Sequence, residues 1–66
     1  MSENLKIGDR VYYMADYTRK GRIIAVNEYG YNIRWDEAVV RNIYVTSENK
    51  YNVRKAHNQK QVFIFR

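Results

Sequence analysis

Cysteine and proline are both absent from this chain, and glycine occurs only three times in its 66 residues. Without cysteine, no disulfide can brace the fold and no thiolate can hold zinc. The single histidine, His57, cannot assemble a histidine-based metal site either. Without proline, strand boundaries fall to Gly, Asn, Asp and Ser. No apolar run approaches the ~20 residues of a membrane-spanning helix. The start, Met1-Ser2-Glu3-Asn4, lacks the basic-then-apolar pattern of a secretory signal. A cytoplasmic protein without metal or cofactor is the expectation. Catalytic constellations are missing as well. His57 stands beside Lys55 and Asn58 with no Ser, Cys or carboxylate in a catalytic pattern. Asp36 and Glu37 are sequence neighbours, which on a strand point to opposite faces, so they fit turn chemistry better than acid–base work. The chain reads as a binding protein and not as an enzyme.

What the chain has instead is aromatic and β-branched character. Seven tyrosines, two phenylalanines and one tryptophan are present. A chain this short buries only ~60% of its unfolded surface, so large rings must carry much of its core. Period-2 alternation predicts strands near 9–15, 20–27, 30–36 and 39–46, with a closing strand at 61–66. Residues 51–57 have mixed polarity and suit either a further short strand or a helical turn. One assignment of faces puts Val11, Tyr13, Ile23, Ala25, Ile33, Trp35, Ile43 and Val45 inside. Arg10, Tyr12, Arg22, Arg34, Asn42 and Tyr44 then share the other side. Asp16-Tyr17-Thr18-Arg19 is predicted to loop between the first two strands. Asn27-Glu28-Tyr29-Gly30 is predicted to turn with Gly30 left-handed. A meander of five short strands closes into a small antiparallel barrel, one domain over 1–66.

Three segments carry a resemblance. Ile7-Gly8-Asp9-Arg10-Val11 resembles the opening strand of SH3-like barrels of the KOW, Tudor and chromo-barrel kind. Lys20-Gly21-Arg22-Ile23-Ile24-Ala25-Val26 is similar to their second strand, and Tyr31-Asn32-Ile33-Arg34-Trp35-Asp36 to their third. The resemblance implies an all-β, SH3-like barrel that binds RNA, DNA, a nucleoprotein surface or a methylated side chain. Asn42-Ile43-Tyr44 loosely resembles the Val-Gln-Ile-Tyr motif of plasmid-type dihydrofolate reductases, which are also SH3-like. Asparagine stands in place of their glutamine, and Arg41 precedes it in place of valine.

The charge balance points to the partner. Twelve Lys and Arg against seven Asp and Glu give a net charge of +5. A basic surface suits nucleic acid or an acidic protein surface, and no membrane is expected. Arg10, Arg22 and Arg34 fall on one face of three successive strands, about 4.8 Å apart, where their guanidinium groups can meet phosphates. Tyr12 and Tyr44 on that face can stack on bases. The plain alternative is a solvated sheet face, with Asp36 and Glu37 balancing part of the charge. From Asn49 onward Lys50, Arg54, Lys55, Lys60 and Arg66 face no acidic side chain, a one-signed tail that steers polyanions. An aromatic cage for a methylated cation, built from Tyr12 or Tyr13 with Tyr17, Trp35 and Tyr44, competes with core packing of Tyr13 and Trp35. A second function class also follows. Phe63 and Phe65 alternate with Val62 and Ile64, so both faces of the last strand are apolar. Such a strand suits burial against another chain, in a homodimer or in a small regulator or inhibitor docked on a larger enzyme, whether phage-encoded or a host factor.

Overall fold

The computed structural model describes residues 4–56. Those residues form one sheet of five antiparallel strands: β1 (Arg10–Tyr13), β2 (Asp16–Val26), β3 (Gly30–Trp35), β4 (Val45–Asn49) and β5 (Val53–Lys55). Their order across the sheet is β4-β3-β2-β1-β5, so four strands run as a meander and the fifth returns beside the first. The all-β expectation holds, but among the described residues the sheet does not close into a barrel, because its two outer strands, β4 and β5, are not bonded to each other. The expected closing strand at 61–66 lies outside the described residues, and a short strand within 51–57 takes the place beside β1.

One face of the sheet carries the core. Val11, Ile23 and Ile33 are fully buried, joined by Tyr31, Trp35 and Val53, with Leu5, Tyr13 and Val39 packed against them. Burying each aliphatic side chain contributes about 1.5–3 kcal/mol. Gly21 lies in the middle of this packing. A Cβ there would come within 2.6 Å of the Arg34 carbonyl oxygen and 2.9 Å of Ile33 Cγ2, so the close approach of β2 to β3 requires glycine.

Two irregularities in β2 change the expected faces. The first lies opposite β1, where Tyr12 pairs with Lys20 but Tyr13 pairs with Asp16. Residues 17–19 therefore bulge out of register, inside a strand and not in the loop expected for 16–19. The turn is instead Met14-Ala15, which carries no turn-forming residue for a sequence reading to find. Asp16 pins the bulge: its carboxylate accepts Thr18 Oγ1 at 2.6 Å and the Thr18 N–H at 3.0 Å. The second bulge is at Ile24. Ile23 pairs with Ile33, but Ala25 pairs with Asn32, so the alternation inverts after Ile24. Ala25, expected inside, thus shares the face of Asn32.

The fourth strand also differs from expectation. The run 39–44 is not a strand. Val40 bridges Ile43 around Arg41 and Asn42, both left-handed at φ 30° and 69°. The strand begins at Val45, and its inward residues are Thr46 and Glu48, paired with Ile33 and Tyr31. Ile43 and Val45, expected inside, are 50% and 41% exposed. The inward polar atoms are satisfied in a chain: Trp35 Nε1 donates to Thr46 Oγ1 at 2.8 Å, and Thr46 Oγ1 donates to Glu48 at 2.7 Å. Apolar residues drew the sequence reading to the wrong parity here, because Thr46 and Glu48 enter through hydrogen bonds and not through hydrophobicity.

At the far end of β2 and β3, Asn27 accepts the N–H groups of Tyr29 and Gly30 and closes the expected hairpin. Gly30 does not adopt the left-handed conformation expected of it; only Gly8 among the glycines does, at φ +96°. What fixes glycine at position 30 is proximity, since a Cβ would collide with the Glu48 carbonyl, Asn49 and Lys50.

Candidate nucleic-acid interface

Backbone register builds the candidate site. Arg10 pairs with Arg22, and Arg22 pairs with Arg34. Directly paired residues in an antiparallel sheet share a face, so these arginines form a row across β1, β2 and β3. The row lies on the side of the sheet opposite Val11, Ile23 and Ile33. A second row runs beside it, because Tyr12 pairs with Lys20 on β2 and with Arg54 on β5. Asp36 extends this row past β3, its N–H donating to the Lys20 carbonyl at 2.9 Å.

The charges on this face are not equivalent. Arg10 donates to both oxygens of Asp36 at 2.8 Å, one arm to each. β2 lies between β1, which carries Arg10, and the end of β3, just past which Asp36 sits, so the pair straddles that strand. The hydrogen bond from Arg10 holds the Asp36 carboxyl below its ordinary range, with Arg10, Arg22 and Lys20 adding attraction. The same bond raises Arg10. Both side chains still reach water, Arg10 partly and Asp36 to about half, so the pair contributes at most about 1 kcal/mol to stability. Arg22 donates to the Gly8 carbonyl at 2.8 Å, which orients its guanidinium but leaves its charge in place. Arg34 lies 6.0 Å from the centre of the Tyr44 ring. Arg34 and Arg54 are exposed and form no ion pair among the described residues.

The other expected contacts divide. Tyr12 is half-buried on the face itself. Tyr44 precedes β4, its carbonyl accepting the Trp35 N–H at 2.6 Å and its ring meeting Arg34. Lys50 sits in the turn between β4 and β5, away from the arginine row. There it borders a cavity of about 460 Å³ shared with Leu5, Asn27, Tyr31 and Tyr51. Lys55 pairs with Val11 and is half-buried, which places it on the core side, where it attracts Asp9. His57, Lys60, Phe63 and Phe65 lie outside the described residues. No group of three or more His, Cys, Asp or Glu among the described residues is placed to hold a metal ion. No helix there is long and apolar enough to cross a membrane. Tyr13 meets Trp35 edge-on with centroids 6.1 Å apart at the core, so neither ring is available to a cation cage.

Two members of the face escaped the sequence reading. Lys20 has the same parity as Arg22 and stands at the start of the strand predicted at 20–27, so it was legible but was not assigned to the face. Tyr17 was named only as a cage candidate beside Tyr12 or Tyr13 and was read as loop; its place on this face depends on the bulge. Its ring packs edge-on against Tyr12 with centroids 5.6 Å apart, while 71% of the residue stays exposed.

Comparison with protein-family models, with curated proteins and with solved structures finds no match.

Proposed function

We propose that this protein binds nucleic acid, DNA or RNA, through the outer face of its sheet. The observation that carries the reading is the register Arg10–Arg22–Arg34, which puts three arginines on one face of the sheet, with Arg22 and Arg34 exposed and in no ion pair among the described residues. Lys20 and Arg54 widen the same field. One carboxylate, Asp36, enters it, and that charge is engaged with Arg10. Such a surface attracts phosphates by charge and counterion release. The strand order, a meander whose last strand returns beside the first, is the arrangement that curls toward a small barrel. It supports an SH3-like fold of the kind that Gly8-Asp9-Arg10-Val11 suggests.

Titration with short labelled oligonucleotides at low and moderate salt tests this reading. Affinity falls steeply with salt, by a log–log slope of roughly −0.7 to −0.9 per phosphate neutralised. Replacing Arg22 and Arg34 together by alanine reduces that slope by about 2. Absence of binding even at low salt defeats the proposal.

A second reading rests on a different surface. Val40, Ile43 and Val45 are each at least two-fifths exposed, beside an outer strand with one unpaired flank among the described residues. This edge suits a protein partner or a second copy of the chain. Sedimentation at several concentrations, with Val45→Lys as the blocking variant, tests self-association there.

A further inference from the structure

We infer that the face selects unpaired strands, and that the Tyr12–Tyr17 ring pair is the element that makes the selection. This inference rests on the nucleic-acid reading above and names which form of nucleic acid the site takes.

The local geometry differs from a plain phosphate-binding surface. Across β5, β1 and β2 the side chains alternate as Arg54, Tyr12, Lys20: cation, ring, cation. Tyr17 then stands over Tyr12 from the bulge, edge to face at 69°. The bulge is held by the two hydrogen bonds from Thr18 to Asp16, so Tyr17 is presented on a fixed backbone. Its ring is one of the most exposed large apolar groups among the described residues. The half-buried Tyr12 lies between Arg54 and Lys20 in the register, and the exposed Tyr17 packed against it offers a base a stacking platform beside those two charges, which can meet the neighbouring phosphates. A duplex cannot use that platform, because the faces of its bases are already stacked and only base edges and the backbone are presented.

The rest of the face reinforces the preference. Asp36 sits among Arg10, Arg22 and Lys20, where it opposes the dense phosphate array of a duplex laid across the rows. A flexible single strand can route its phosphates past that carboxylate while keeping a base on the tyrosines. Arg34 against Tyr44 supplies a second cation and ring on the β3 side of the face.

The test uses the full chain and three fluorescent probes of about 12 nucleotides: oligo-dT, oligo-rU and a duplex of mixed sequence. Anisotropy is read at about 50 mM and 200 mM salt. Single strands bind at least roughly tenfold more tightly than the duplex. Tyr17→Ala weakens single-strand binding by about fivefold to a hundredfold with the salt slope unchanged, because stacking and not charge is removed. Tyr17→Phe, which keeps the ring, retains the binding. Duplex binding as tight as single-strand binding, or full single-strand affinity in Tyr17→Ala, overturns the inference and leaves the broader nucleic-acid reading standing. Failure of all three probes to bind at the lower salt overturns both.

Discussion

Arg10 grips Asp36 with both arms of its guanidinium at 2.8 Å, reaching over β2 to do so. Fork-on-carboxylate geometry is also how arginine holds a phosphate. Asp36 therefore occupies, from within the chain, a place that a nucleic-acid phosphate would take.

Replacing Asp36 by asparagine keeps the shape and removes the charge. Arg10 is then free for phosphate, and Lys20 and Arg22 lose a competitor. Affinity for oligonucleotides is expected to rise by about fivefold, equivalent to roughly 1 kcal/mol. The salt dependence steepens by about one phosphate contact. Equal affinities and slopes for Asp36→Asn and the parent protein contradict this.

Acid stability follows from three carboxylates. The Arg10 guanidinium lowers Asp36, the Lys6 backbone N–H lowers Asp9, and the Thr18 hydroxyl lowers Asp16. In each case the folded protein gives up its proton more readily than the unfolded chain. The unfolded state thus binds more protons as pH falls past the ordinary carboxylate range, near about 4. The stabilisation is full above that range and is lost as pH falls through the lowered folded values. Thermal unfolding should show a Tm that is level from about pH 5 to 7 and drops below about pH 4. Asp36→Asn should flatten part of that drop, and a Tm indifferent to acid would refute the assignment.

Gly30→Ala tests whether proximity fixes the glycine. The added methyl meets backbone atoms of Glu48, Asn49 and Lys50, none of which can rotate away. Destabilisation of about 1–3 kcal/mol is expected in urea unfolding. A neutral result would mean that the two turns lie farther apart than described.

Arg41→Gly works in the opposite direction. Arg41 and Asn42 both hold positive φ, a conformation costly for arginine and tolerated by asparagine. Glycine at 41 should stabilise the protein by roughly 0.5–1 kcal/mol, less its greater freedom in the unfolded chain. A drop in the urea midpoint would rule out the left-handed turn.

The sequence was most legible where alternation is unbroken. Arg10, Val11 and Tyr12 on β1, Arg22 and Ile23 on β2, and Ile33, Arg34 and Trp35 on β3 all fall on the faces that parity assigns. Legibility failed where a residue's place depends on something other than alternation. Ala25 was misplaced by a bulge that leaves no residue-type mark at Ile24. Val45 and Thr46 were exchanged because Trp35 Nε1 needs an acceptor, and Thr46 meets that need from the inner face. Tyr17 was read as loop because Asp16 resembles a turn opener, whereas its carboxylate braces a bulge inside the strand. Asp36 was read both as turn chemistry and as a charge balancing the arginine face; its specific tie to Arg10 is a contact between distant positions that no local pattern announces.

The extra residue at Ile24 acts as a phase shifter for the distal hairpin. Removing it would restore strict alternation through β2 and turn Ala25 and Val26 each to the face opposite the one it now holds. The tip at 27–30 would then swing away from the crossing into β5, and the tight seating of Gly30 against Glu48 would be lost. Length in this stretch is therefore expected to matter more than composition: replacing the exposed Ile24 should cost little, whereas deleting one residue there should destabilise the hairpin.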